Sequence, residues 1–151
     1  MTKVNLGKLQ AKSNGNIESV VGAAVLKNGA LVALGTAIDH EKVNAVAPSA
    51  TAELLLVAAS EMKYDETQDQ LDIETPAGKP VRAYHLTEGD KFEVEVALFT
   101  AAPDVNDVVT GNATFGYAEA VGTEKTTFVV EALLTKYHDA RPMARLRVLT
   151  V

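Results

Sequence analysis

Three histidines, four serines and a cluster of carboxylates are the residues with chemical potential, and their spacing assembles none of the usual reaction centres. His40, His85 and His138 are widely separated, and no HExxH-type pair sets two of them on one helix face. A three-histidine metal site would have to be built wholly by the fold. His85 follows Tyr84 in an alternating stretch and reads as a packed or surface residue rather than a base. His138 stands beside Asp139 in a turn-rich string, where turn formation explains the pair better than a catalytic dyad. Ser13, Ser19, Ser49 and Ser60 carry no GxSxG-type signature. Neither a GxxxxGK loop nor GxGxxG occurs, so no phosphate cradle is legible. With no cysteine, thiolate metal ligands, a cysteine nucleophile and a disulfide framework are excluded. The expectation is a protein without catalytic residues, metal or cofactor.

Three weaker signals resolve the same way. Asp104-Val105-Asn106-Asp107 resembles half of a calcium loop, but the glycine and closing glutamate at the required spacing are missing. An Asx-rich turn is the simpler reading. Asn112-Ala113-Thr114 fits a glycosylation sequon, yet Met1-Thr2-Lys3-Val4-Asn5 opens no secretory signal, which makes the match a chance one. The carboxylates between 61 and 74 lack an apolar surround that would tune a pKa, as a solvated face does.

Composition narrows the class. At 151 residues and 47% apolar, the chain is sized for one domain with its own core. Four Phe, four Tyr and no Trp leave few platforms for stacking bases or sugars. A net charge of −6 disfavours direct binding to nucleic acid or an anionic membrane, and no apolar run reaches the roughly 20 residues that span a bilayer. Charge is uneven: Lys3, Lys8 and Lys12 begin the chain without an acid, and Lys136, Arg141, Arg145 and Arg147 lie near its end. Between them, Glu61, Asp65, Glu66, Asp69, Asp72 and Glu74 face only Lys63. Solvated surface accounts for each cluster; contact between subunits or with an acidic lattice is the sharper alternative.

The elements that must position these residues read as strands. Residues 1–16, poor in large apolar side chains, read as an extended N-terminal arm, and 17–151 as one β domain. Two apolar runs, Ser19–Leu26 and Ala30–Leu34, flank Lys27-Asn28-Gly29, the signature of a type I′ hairpin. Asp39–Ser49 reads as loop, Glu53–Ala59 as a buried strand. Val81–Leu86 and Lys91–Val96 alternate, with Phe92, Val94 and Val96 opposite Lys91, Glu93 and Glu95. Ala101–Gly111 reads as a long connection, and strands follow around Ala113–Ala120, Thr126–Tyr137 and Ala144–Val151. Seven or so short strands with regular turn signals predict an all-β, barrel-like or sandwich domain.

Several short strings also carry a resemblance: Val32-Ala33-Leu34-Gly35, Ala45-Val46-Ala47-Pro48-Ser49, Leu54–Ala59, Met62-Lys63-Tyr64-Asp65-Glu66, Ala77–Leu86 and Gly89-Asp90-Lys91-Phe92. In this order, across roughly residues 29–96, the chain resembles head decoration (auxiliary capsid) proteins of tailed bacteriophages of Gram-positive hosts. The resemblance implies a non-enzymatic virion protein, made in the host cytoplasm, that binds the major capsid protein on the outside of an assembled head. It also implies a homo-oligomer, a trimer by analogy with occupants of lattice symmetry axes. Lys3, Lys8 and Lys12 are then the candidate capsid-binding residues, their weak contacts summed by avidity. The alternative from another class is a small-ligand or glycan-binding β-barrel, which the scarcity of aromatics disfavours.

Overall fold

A computed structural model describes residues 4–8, 17–39, 42–58, 74–136 and 140–151, the side chains of 5–8 and 136 excepted. The described residues are all-β. The strands are β1 (Val4–Lys8), β2 (Ile17–Gly22), β3 (Leu26–Lys27), β4 (Leu31–Ala37), β5 (Lys42–Val46), β6 (Leu55–Val57) and β7 (Glu74–Thr75). They continue with β8 (Pro80–Tyr84), β9 (Lys91–Glu95), β10 (Val108–Gly111), β11 (Tyr117–Glu119), β12 (Thr127–Lys136) and β13 (Arg141–Thr150). A 3-10 turn, Val96–Leu98, follows β9.

Five strands close into a barrel in the order β2-β5-β4-β6-β8, and β2 runs parallel to β5 while its other neighbour, β8, is antiparallel. Beside it lies a six-stranded antiparallel sheet, β1-β9-β13-β12-β10-β11. Alternation along β6 shows how the two are joined. Leu55 and Val57 point into the barrel with Val20, Val32, Val81 and Ala83. Leu54, Leu56 and Ala58 point outward, onto Phe92, Val94, Phe128, Val130 and Leu146 of the sheet. A strand buried on both faces has to be continuously apolar, which is why Leu54–Ala58 shows no polar alternation. Phe115 packs on the barrel core from the β10–β11 connection.

Three local expectations are corrected. Lys27–Ala30 is a tight turn closed by the Ala30 N–H to the Lys27 carbonyl at 3.1 Å, but it joins no hairpin. β3 pairs with β7 and β4 pairs with β5 and β6. Gly29 has φ +91° while Asn28 does not enter positive φ, so the turn is of type II rather than I′. Asp39–Ser49 is not a plain loop, because Lys42–Val46 is a barrel strand held by neighbours on both sides. Likewise Val108–Gly111, read as connection, is strand β10.

Within residues 1–16, Val4–Lys8 forms an edge strand against β9, with Val4 buried in the core.

Candidate functional site

Residues that pattern alone left unconnected meet on the face of the six-stranded sheet turned away from the barrel. On β9, Phe92 and Val94 enter the core, which turns Lys91, Glu93 and Glu95 to the opposite side. On β13, Ala144, Leu146 and Val148 enter the core, which turns Arg141, Met143, Arg145 and Arg147 the other way. Antiparallel register then sets Arg145 opposite Glu93, Arg147 opposite Lys91 and Met143 opposite Glu95.

Opposed cations Lys91 and Arg147 repel each other across the strand pair. A bulge in β12 answers that repulsion. Val130 pairs with Leu146 and Ala132 with Arg145, leaving Glu131 as the extra residue between them. Glu131 reaches both cations, Lys91 Nζ at 3.3 Å and Arg147 Nε at 3.9 Å. Arg141 binds Glu95 at 2.5 Å in a largely buried pair, and Arg145 approaches Glu93 at 3.5 Å. Depth varies along the face: the Glu93 and Glu95 side chains are 12% and 8% exposed, Arg141 16% and Glu131 24%, against 42% for Arg145 and 44% for Arg147. Solvent therefore meets Lys91, Arg145 and Arg147 on this face, whereas Met143, Glu95 and Arg141 at its other end are covered.

A second polar cluster lies at the end of β8. His85 Nδ1 is 3.2 Å from Glu53 Oε1 and its Nε2 is 3.1 Å from Glu18 Oε1. The ring thus ties together β8, the start of β2 and the segment entering β6, its barrel neighbours. Burial works against the charged ring, but hydrogen bonds to Glu18 and Glu53 and their negative charge outweigh it, raising the pKa above the ordinary 6.5. Both ring nitrogens face carboxylates, so the protonated ring, with two N–H donors, fits the site best.

The remaining sequence candidates have structural roles or fall elsewhere. Asp107 Oδ2 accepts the Asp104 N–H at 2.8 Å, and the Asn106 N–H and Asp107 carbonyl bond to β12, so this string is a docked Asx turn. Asn112 Oδ1 accepts from the Thr114 N–H, the Thr114 hydroxyl and the Gly116 N–H. Its Nδ2 donates to Thr100 Oγ1 and the Tyr117 carbonyl, so the sequon's amide already binds its own loop. Lys8 pairs with Lys91 through the backbone of edge strand β1. Lys3, Lys12, His40, His138, Asp139 and the acidic run apart from Glu74 lie outside the described residues. Among the described residues, no three His, Cys, Asp or Glu side chains converge as metal ligands, and no helix is long and apolar enough to cross a membrane.

Fold and site define an all-β protein in which a small packed barrel carries a sheet with an outward cationic face. Comparison of the chain with family models, curated proteins and solved structures returns no match.

Proposed function

We propose that the chain is a capsid decoration protein, a non-enzymatic virion component that binds the major capsid protein on the outer surface of an assembled phage head and stabilises the shell. The observation that carries this reading is where the strings of the resemblance fall. Val32–Gly35 lies on β4, Ala45–Ser49 runs off β5, Leu54–Ala58 spans β6, Ala77–Leu86 holds β8, and Gly89–Phe92 opens β9. These five trace framework, while Met62–Glu66 lies outside the described residues. The charged clusters support the same reading, because their carboxylates, histidine and cations are engaged with one another in pairs that brace strands.

A ligand-binding barrel fits less well. Val20, Val32, Leu55 and Val57 fill the barrel interior at 0% exposure, so a ligand would have to displace packed core. A cavity of about 270 Å³, lined by Val25, Lys27, Leu98 and Phe115 among others, lies outside the barrel interior.

Attachment by a repeating oligomer, a trimer in this proposal, lets weak contacts sum over the lattice, with Lys3, Lys8 and Lys12 contributing at the basic end. The test is co-sedimentation of the full chain with empty heads that lack it. Saturable binding at a fixed ratio to the capsid protein, together with raised thermal resistance of the heads, is expected. Heads that pellet without the protein would refute the proposal.

A further inference from the structure

We infer that the outward face of the six-stranded sheet, centred on Lys91, Arg145 and Arg147, docks an acidic protein surface; the inference deepens the capsid-decoration reading and rests on it for the partner's identity. Three observations carry it. First, the chain is acidic overall at −6, yet around Lys91, Arg145 and Arg147 the cations are more exposed than their partners Glu93 and Glu131. Such segregation gives a local potential opposite to that of the whole molecule, which orients encounter with an anionic partner.

Second, the exposed guanidiniums retain donors. Arg145 meets Glu93 through one nitrogen at 3.5 Å, and Arg147 meets Glu131 at 3.9 Å, long for charge-assisted hydrogen bonds. A guanidinium carries five N–H donors, so each can bind a further carboxylate without losing its own. Third, the antiparallel register sets two cations, Lys91 and Arg147, directly opposite each other across β9 and β13. Like charges in direct opposition destabilise a sheet. One carboxylate, Glu131, is shared between the two, and an external carboxylate would complete the neutralisation.

The pattern favours a protein partner over nucleic acid. Glu93, Glu95 and Glu131 interleave with the cations at strand spacing, which suits a surface of discrete carboxylates and opposes a continuous line of phosphates. The face is also rigid, being built on paired strands, so little ordering entropy is lost on docking.

The experiment uses the full chain with three probes: immobilised poly-L-glutamate, a DNA duplex, and empty heads lacking the protein. Arg145→Gln/Arg147→Gln is compared with wild type and with Lys79→Gln/Lys125→Gln, which removes the same charge from exposed positions elsewhere. If the double variant melts early, Arg147→Gln alone takes its place, since its 3.9 Å pair holds little of the fold. The expected result is salt-sensitive binding to polyglutamate and heads, weakened roughly tenfold in the arginine variant and less than about twofold in the control. Equal binding of the arginine variant and wild type to polyglutamate and heads would overturn the inference while leaving decoration intact. Tighter binding to duplex DNA than to polyglutamate would overturn it in favour of a nucleic-acid occupant. Loss of polyglutamate binding in the variant, with no head binding by wild type, would uphold the face and reject decoration.

Discussion

Tyr117 donates its buried hydroxyl to the carbonyl of Gly29 at 2.7 Å, linking β11 of the open sheet to the turn that enters the barrel. The ring stacks on Phe99 at 4.9 Å and meets Phe128 edge-on at 6.1 Å, and burial raises its pKa well above 10.0. The Gly29 N–H, in turn, bonds to the Val57 carbonyl of β6 at 2.8 Å. One turn therefore couples both parts of the fold. Tyr117→Phe keeps the packing and strands a buried carbonyl, for an expected loss of about 1–2 kcal/mol in urea unfolding. Gly29→Ala loses more, about 2 kcal/mol or above. Its φ of +91° disfavours a side chain, and the new Cβ would sit 3.0 Å from Leu98 Cδ1. Wild-type stability in both variants would remove the turn as the coupling point.

The arginines of β13 should separate by depth. Arg141→Ala leaves the Glu95 carboxylate, 8% exposed, without its guanidinium partner, and about 3 kcal/mol of destabilisation is expected. Arg147→Ala removes an exposed, long-range pair, and the loss should stay within about 0.5 kcal/mol. Denaturant midpoints of the two variants check the ranking; an inverted order would show that the outer face is not layered as described.

Asn112 offers a third test, in the loop between β10 and β11. It accepts three hydrogen bonds and donates two, and Phe115 in the same loop holds φ +62°, a strained conformation for an aromatic residue. Asn112→Ala should cost about 2 kcal/mol, while Thr114→Ala, which removes one of the five bonds, should cost about 0.5–1 kcal/mol. Calorimetric melting of both variants measures the difference. A silent Asn112→Ala would mean that the loop is held by its aromatic packing instead.

Which parts of this molecule were legible follows from the range of the forces involved. The two faces of β9 were readable because side-chain chemistry alternates along it, Phe92 and Val94 against Glu93 and Glu95, although all four are buried in the fold. β6 was readable from its apolar continuity. β5 and β10 were not, because Lys42–Val46 and Val108–Gly111 are short and owe their extended form to partners on both sides. At Asn28-Gly29 the demand for positive φ was visible at Gly29, but the partner of β3 was not, since Glu74–Thr75 is distant in the chain. The charged face shows the same division. The alternation of Arg145 and Arg147 was plain in the sequence, whereas their pairing with Glu93 and Glu131 depends on strand order and on a bulge that no local pattern announces. The His85 cluster likewise joins positions brought together only by barrel closure.

That cluster sets the last expectation, a pH dependence of barrel stability. His85 is more basic in the folded chain than the ordinary 6.5, because Glu18 and Glu53 favour the protonated ring more than burial opposes it. A group with a raised folded pKa stabilises the fold fully below its unfolded pKa, and that contribution is lost as pH rises through the folded value. Stability from this cluster is therefore present near about pH 6 and gone by about pH 9. The glutamates are more than a third exposed, so solvent screening holds the contribution to about 1 kcal/mol. His85→Gln keeps the hydrogen-bonding capacity of the site and cannot take up the proton. Its melting temperature should fall a few degrees below wild type near about pH 6 and converge on it near about pH 9. Glu18→Gln/Glu53→Gln should flatten the same profile by a different route, returning the ring towards its ordinary basicity. If the gap between His85→Gln and wild type is constant across that range, the imidazole packs against the strands without using its charge.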